Sequence, residues 1–314
     1  MTRRHHPAPR RRTPLWAPAV VAMAAALMLV IGCGSGPARA AVDGPRKLPT
    51  PMVGVTLDTV EHLPETIEAL AALPVMPVAR IVFDRGPVGT YTAAVEELRP
   101  VAYLMGELVD SSDFRRYSLA AYRDRTRSYF GALHDQIDLW EIGNEVNGEW
   151  LGPTKDVVAK LRAAFRHVER RGGRTAMTLY FNQDCWEKRD HEMFSWTEKN
   201  VPAEMKAGLD YVFVSWYPDD CRGVTPDWPA VFTRLRTVFP TAKLGFGEIG
   251  RDSTAPRAAK ARMVRDFYGM ERGRDGLGPR FVGGFFWWYF AEEMVPKTKP
   301  LWRTLSETVA ATAP

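Results

Sequence analysis

From Met52 onward the chain alternates short apolar runs with segments whose apolar residues recur at helical spacing. Runs of five to seven residues rich in β-branched and aromatic side chains predict strands, and the segments between them predict amphipathic helices. The predicted strands cover residues 52–57, 78–83, 100–105, 138–143, 175–180, 211–216, 243–248 and 282–288. The predicted helices cover residues 59–73, 91–98, 118–136, 154–172, 193–207, 228–239, 256–270 and 300–312.

This alternation predicts an α/β fold, a single (β/α)8 TIM barrel that occupies residues 52–314. Continuously apolar strands need cover on both faces, and eight strand-helix units over about 250 residues are the usual content of such a barrel. The alternative is an open, doubly wound sheet. That fold favours a glycine-rich phosphate loop after its first strand, and "VGVTLDTVEHLPE" has none.

The N-terminus is typical of an export signal. A basic stretch precedes an apolar run over residues 17–32, which is too short to span a bilayer, so residues 1–32 are predicted to be a signal peptide. The sequence "VIGC" resembles a bacterial lipobox, which implies lipidation of Cys33 and anchoring in the membrane. The alternatives are cleavage after Ala40 or an uncleaved anchor. Residues 33–51 are predicted to be a tether.

Charge and cysteine content narrow the choice of partner and compartment. The net charge is +5, but five arginines lie in the first 32 residues, and without them 37 basic side chains face 37 acidic ones. A neutral body argues against nucleic acid as the partner.

Cys185 and Cys221 form an even pair in an exported chain, which predicts a disulfide, with two free thiols as the alternative.

The chemistry of the chain is concentrated at the ends of the predicted strands, where a TIM barrel forms its active site. Glu145 follows the fourth strand in "LWEIGNE", and Glu248 ends the seventh in "KLGFGE". Two carboxylates in one cavity are what glycoside hydrolysis requires, because one protonates the leaving oxygen while the other attacks the anomeric carbon or activates water. Asn182 and other polar or aromatic strand-end residues suit a carbohydrate. No metal and no cofactor are predicted.

Three segments resemble a known group of enzymes. "WEIGNEVNG", "GFGEIG" and "GGFFWW" are similar to the fourth, seventh and eighth strand motifs of the clan A glycoside hydrolases, which are retaining enzymes, and the similarity extends over most of residues 52–312. The resemblance implies that Glu145 is the acid/base and Glu248 the nucleophile. It also implies that Asn144 donates a hydrogen bond to the sugar 2-hydroxyl and that Tyr217 donates one to the nucleophile. Trp287 would form a platform under the sugar, and Arg80 would keep the nucleophile ionised.

Charge and burial support these roles. Arg80 is expected to lower the pKa of Glu248, and a drier environment is expected to raise that of Glu145, so that one carboxyl is ionised while the other keeps its proton. A retaining mechanism predicts that the two carboxyl groups lie about 5–5.5 Å apart. Glu141 shares the strand parity of Glu145 and is predicted to form an ion pair with Arg80.

The sequence departs from the clan at two positions. Many members have a histidine on the third strand and another on the sixth, where this chain has Met105 and Ser215. "GNEVNG" and "SWYP" resemble the endo-β-1,4-galactanases more than other families, but the sugar and the linkage stay open. The alternative to a retaining glycosidase is a catalytically inactive sugar-binding or cell-wall lipoprotein on the same barrel. In either case a monomer is expected.

Overall fold

The computed structural model describes residues 44–221, 224–271 and 275–312. These residues belong to one compact unit. The predicted signal peptide (residues 1–32), Cys33 and the first part of the predicted tether lie outside the described residues, so those predictions are not tested.

Eight parallel strands close into a barrel, as predicted. Each strand pairs with the next one along the chain, and the eighth pairs with the first. The strands are β1 (Met52–Leu57), β2 (Val78–Val82), β3 (Tyr103–Glu107), β4 (Leu139–Glu141), β5 (Thr175–Tyr180), β6 (Tyr211–Trp216), β7 (Lys243–Ile249) and β8 (Phe281–Trp287). The (β/α)8 prediction is confirmed.

Helices cover the outside of the barrel. They are α1 (Leu63–Ala71), α2 (Gly89–Leu98), α3 (Ser111–Phe114), α4 (Leu119–Leu133), α5 (Thr154–Glu169), α6 (Met193–Asn200), α7 (Ala203–Gly208), α8 (Trp228–Val238), α9 (Arg257–Tyr268), α10 (Phe290–Met294) and α11 (Pro300–Thr312). Within the described ranges, no helix has both the length and the apolar character needed to cross a membrane.

Several element boundaries differ from the prediction, and two of the differences have a clear physical cause. The helix predicted over residues 193–207 is two helices, because Pro202 has no backbone N–H to continue the helical hydrogen bonds of α6. The third strand begins at Tyr103 rather than residue 100. The N–H groups of Val101 and Ala102 both donate to Leu98 O, so these apolar residues close the end of α2.

The barrel has two apolar layers and a polar interior at one end. Outward-facing strand residues such as Ile81, Trp140 and Phe246 pack against the helices. Inward-facing residues at the end where the strands begin, here called the lower end, belong to a second cluster that includes Met52, Val78, Leu139 and Tyr211. Nearer the end where the strands finish, here called the mouth, the interior becomes polar and charged. The fold therefore places its buried charges at the mouth.

Residues 44–51 correct the predicted extent of the tether. Leu48 is buried in the lower cluster, and both Arg46 Nε and Arg46 Nη2 donate to the buried carboxylate of Asp138. Gly44 O accepts a hydrogen bond from Arg99. This segment was expected to have little to pack against, but one leucine and one arginine are sufficient to fix it across the lower end.

Candidate active site

Glu145 and Glu248 lie close enough together at the mouth for the charge of Glu248 to raise the pKa of Glu145. Glu248 lies on β7, and Glu145 lies four residues beyond the end of β4, with its backbone in the left-handed region at φ 48°. Asn144, which directly precedes Glu145, donates from Nδ2 to Glu248 Oε2 at 3.1 Å. Each glutamate is 6% exposed, so both carboxyls are largely desolvated and still in contact with solvent.

Three side chains predicted from the sequence converge on Glu248. Tyr217 donates its hydroxyl to Glu248 Oε1 at 2.5 Å. Asn144 and Arg80 both contact Oε2, the latter from Nη1 at 3.2 Å. The carboxylate is thus held at both oxygens, and its orientation is fixed from three different strands or strand ends. Their chemical roles remain predictions.

Glu145 has a different environment. Its Oε2 accepts a hydrogen bond from Ser111 Oγ at 2.9 Å, and no described arginine or lysine forms an ion pair with it. Ser111 is the first residue of α3, a short helix whose N-terminus is capped by Asp110. Sequence reasoning missed this loop, because a four-residue helix has no periodic signal. The Asp-Ser-Ser sequence that could have indicated its cap follows β3 directly.

Arg80 is the centre of a buried ion cluster. Its Nε lies 2.7 Å from Glu141 Oε2, its Nη2 lies 3.0 Å from Glu107 Oε2, and its Nη1 reaches Glu248. The predicted Arg80–Glu141 ion pair is confirmed. Glu107, the last residue of β3, is fully buried. One guanidinium therefore faces three carboxyl groups.

Burial dominates the protonation of these carboxyls. It raises the pKa of Glu248 to about 7, although Arg80 and the Tyr217 hydroxyl both act to lower it. Burial, followed by the charge of Glu248, raises the pKa of Glu145 well above its ordinary value. The pKa of Glu107 is also raised well above the ordinary value, mainly by burial.

These directions correct one expectation. Arg80 lowers the pKa of Glu248 as predicted, but desolvation outweighs its effect, so the net shift is upward. The predicted rise for Glu145 agrees with the structure. Glu248 is contacted by an arginine, a tyrosine and an amide donor, which all stabilise its carboxylate form, whereas Glu145 is contacted by one hydroxyl. We therefore expect Glu248 to be ionised and Glu145 to be protonated.

The prediction for Trp287 is wrong. Trp287 is fully buried in the outer core and donates from Nε1 to Glu293 Oε2, so it cannot form a platform under a sugar. Strand alternation turns Phe286 and Trp288 to the other face. Trp288 is half-buried, and the Arg80 guanidinium lies 5.8 Å from its ring centroid. The aromatic surface beside the carboxylates is that of Trp288.

Tyr289 adds a second aromatic side chain that sequence reasoning missed. It is half-buried, and burial together with the nearby charge of Glu248 raises its pKa to about 12. Tyr289 directly follows the predicted motif that ends at Trp288, so the continuing run of aromatic residues could have indicated it.

The prediction that Asn182 binds substrate does not agree with its contacts. Its Nδ2 donates to His191 O at 3.0 Å, and its Oδ1 accepts from Met193 N at 3.0 Å. Both polar ends are occupied by the backbone before α6. Asn182 therefore orders the loop after β5.

The predicted disulfide is confirmed, since Cys185 and Cys221 are bonded with their Cα atoms 5.1 Å apart. It joins the loops that follow β5 and β6. Among the described residues, no group of three or more His, Cys, Asp or Glu side chains is arranged to hold a metal ion.

Solved structures with the same fold include a xylanase and a chitinase. No family model and no curated protein matches the chain. Xylanase 10B from Thermotoga petrophila RKU-1, in complex with xylobiose, is 12% identical with a TM-score of 0.56, over 86% of this chain and 95% of that one. ScGas2 is 15% identical with a TM-score of 0.55, over 84% of this chain and 66% of that one.

A GH18 chitinase from Pseudoalteromonas aurantia is 10% identical with a TM-score of 0.54, over 82% of this chain and 99% of that one. At these identities the likeness shows the fold alone. The chain thus has the barrel fold of glycoside hydrolases, while its likeness to galactanases stays a prediction.

Proposed function

We propose that this protein is a retaining glycoside hydrolase that cleaves β-glycosidic bonds in a poly- or oligosaccharide by double displacement. The observation that carries the proposal is the pair of unlike carboxyls at the mouth. Glu248 is oriented by Arg80, Asn144 and Tyr217, whereas Glu145 lies within reach of the charge of Glu248 and has no cationic partner among the described residues. This asymmetry matches the two roles that a retaining mechanism requires.

In the first step, the ionised Glu248 attacks the anomeric carbon while Glu145 gives its proton to the leaving oxygen. The glycosidic C–O bond breaks, and a covalent glycosyl ester forms on Glu248. In the second step, Glu145, now ionised, takes a proton from water, the water oxygen bonds to the anomeric carbon, and Glu248 leaves as a carboxylate. The two inversions give net retention.

The contacts of Asn144 support binding of a sugar hydroxyl beside the nucleophile. Its Nδ2 is occupied by Glu248, whereas its buried Oδ1 has no hydrogen-bonding partner within the described part of the chain. A buried acceptor without a donor is costly, so a hydroxyl of the bound sugar would complete it. The 2-hydroxyl next to the reacting carbon suits this position, with Asn144 as its acceptor rather than the donor that the resemblance implies.

The proposal includes export and anchoring of the protein in the membrane through a lipid on Cys33. The disulfide supports an oxidising compartment, because such bonds are rare in the cytosol. Metabolic labelling with a radioactive fatty acid checks the anchor. Label in the parent chain and none in Cys33→Ala is the expected result.

The activity is tested by screening the purified protein against a panel of β-linked polysaccharides and then substituting each glutamate. Glu248→Ala is expected to abolish cleavage, and azide should restore turnover of an activated aryl glycoside as the α-glycosyl azide. Glu145→Ala is expected to lower the rate about 10²–10⁴-fold on natural linkages, because general acid catalysis is lost, and less on aryl glycosides with good leaving groups. Glu65→Ala, on the exposed face of α1, is the control.

Proton NMR of the first product gives the stereochemistry. A β-anomer supports double displacement, and an α-anomer contradicts it. Binding of oligosaccharides without cleavage by the parent protein would instead favour the inactive sugar-binding lipoprotein. That alternative rests on the absent histidines at Met105 and Ser215, and Met105 is the register partner of Arg80 on the neighbouring strand.

A further inference from the structure

A groove with a strong positive charge lies on the outside of the barrel, away from the carboxylates. It runs between α4 and α5, which pack side by side, and has a volume of about 470 Å³. Its lining contains no acidic side chain and six exposed arginines, Arg123, Arg127, Arg162, Arg166, Arg170 and Arg171. We call it the arginine groove. Such a concentration is unexpected on a body whose total charge is neutral.

Neighbouring carboxylates neutralise the groove only in part. Arg127 pairs with Asp124, while Arg162 and Arg166 share the single carboxylate of Glu204. Within the described ranges, Arg123 and Arg170 form no ion pair with a carboxylate. His167, also in the lining, has a pKa lowered by burial and then by Arg171 and Arg127. The groove keeps an excess of positive charge that needs anions.

Guanidinium groups in this number suit phosphate. Arginine binds phosphate oxygens through two parallel hydrogen bonds and is more weakly hydrated than lysine. Clusters of four to eight basic residues near a membrane anchor are typical of binding to anionic lipid headgroups. Six arginines on two neighbouring helices lie in this range.

The position of the groove favours a membrane over a soluble polyanion. Arg170 and Arg171 lie at the end of α5, immediately before the start of β5, and therefore at the lower end of the barrel. The chain reaches the barrel at the same place, because Arg46 O accepts a hydrogen bond from Arg174 Nη1. A lipid on Cys33, which is part of the proposed function, would be 11 residues before Gly44. An anchor there would bring the arginine groove to the headgroups.

We infer that the arginine groove binds the anionic phospholipid headgroups of the membrane in which the chain is anchored. In this arrangement the lower end faces the bilayer, and the carboxylates at the mouth face away from it. The groove would add an electrostatic attachment to the one that the lipid makes.

The test uses the full chain with Cys33→Ala, so that no lipid contributes, and vesicles of equal parts phosphatidylglycerol and phosphatidylcholine. Co-sedimentation at low salt measures the affinity of this parent. The triple variant Arg123→Gln/Arg170→Gln/Arg171→Gln is expected to bind about a hundredfold more weakly, at roughly fivefold per arginine. Its matched control, Arg257→Gln/Arg262→Gln/Arg265→Gln, removes three exposed arginines from α9 and should bind like the parent.

A gain-of-binding variant separates the effect from misfolding. Glu204→Gln releases Arg162 and Arg166 from their carboxylate and is expected to strengthen vesicle binding several-fold. Equal losses in both triple variants, or no loss in either, would overturn the inference. Loss of binding to inorganic polyphosphate without loss of binding to vesicles would also overturn it, since the partner would then be a soluble polyanion. None of these outcomes depends on glycosidase activity.

Discussion

A single residue, Arg80, has the largest number of charged contacts in the candidate site. It is fully buried, and its three nitrogens face Glu107, Glu141 and Glu248. One positive charge cannot keep three desolvated carboxyls ionised, and the raised pKa of Glu107 indicates where a proton is retained. The cluster therefore holds Glu248 in a fixed orientation and leaves its pKa near neutrality.

A pH dependence follows from the pKa of Glu248. The nucleophile must be ionised, so kcat/KM should fall as the pH decreases below about 7. In Tyr217→Phe the hydroxyl that lowers this pKa is lost, the pKa rises, and the acidic limb should move to higher pH by roughly one unit. Rates measured from pH 5 to 9 on the proposed substrate check this.

Tyr180→Phe is the control for that shift, because the Tyr180 hydroxyl donates to Asp220 rather than to Glu248. Its acidic limb should stay in place. An unchanged limb in Tyr217→Phe, or a move to lower pH, would contradict the assignment of Glu248 as the group that titrates.

The neighbouring tryptophans of β8 should respond differently to truncation. Trp288→Ala removes an aromatic surface beside Arg80, so we expect a higher KM for oligosaccharides and little change in stability. Trp287→Ala removes a fully buried side chain and should lower the free energy of unfolding by about 3–5 kcal/mol. Kinetics and urea unfolding of both variants measure the difference. A raised KM in Trp287→Ala alone would show that the sugar platform has been misplaced.

At the level of elements, the strands and their order were predictable, and the loops at the mouth were not. Residues buried on both faces of a parallel strand produce continuous apolar runs, which is why β1, β5 and β6 have the predicted bounds. Loop residues such as Ser111 and Asn182 have no periodicity, and their partners lie far away in sequence. Their roles depend on contacts that only the folded chain forms.

The face of β8 was the hardest feature to predict. A period of two shows that adjacent tryptophans point in opposite directions, but not which of them points inward. Gly283 and Gly284 both have positive φ, and a Cβ on Gly284 would lie 2.0 Å from Phe246 O. This close approach of β7 and β8, with its register shift, is not visible in an apolar pattern.

The disulfide between the β5 and β6 loops gives a prediction about stability. The two cysteines are 36 positions apart, so replacing both with alanine should lower the free energy of unfolding by about 2–4 kcal/mol. Urea unfolding of the variant and of the parent checks the size of the effect. A reducing agent should destabilise the parent to the same degree and leave the double variant unchanged. An equal effect of the reducing agent on both would point to another cause.

At the level of the whole molecule, the barrel is organised as an apolar lower end and a charged mouth. Both were predictable in part, because the polar residues of the sequence collect after the strands. The packing of residues 44–51 across the lower end was not predictable, because a proline- and glycine-rich stretch with one leucine has the composition of a linker. Its packing depends on Asp138, which is 92 positions from Arg46.

The lower end should be sensitive to this segment. A chain that starts at Gly44 is expected to unfold at the same urea concentration as one that also includes the predicted tether. A chain that starts at Met52 loses Leu48 and Arg46 and should be less stable by several kcal/mol.

Leu48→Ala in the full chain should lower the free energy of unfolding by about 2–5 kcal/mol. Lys47→Ala, at an exposed position, is the control. Equal stability of all these proteins would show that the segment does not close the barrel.

The closed lower end has a consequence for the order of events in turnover. Leu48 and the buried side chains clustered with it occupy the lower end of the barrel, so in the proposed mechanism substrate and products enter and leave by the mouth. The first product would then have to leave the mouth before water could reach the proposed ester on Glu248. A second carbohydrate waiting there would compete with water for the same intermediate, and longer chains could then be built as well as cut.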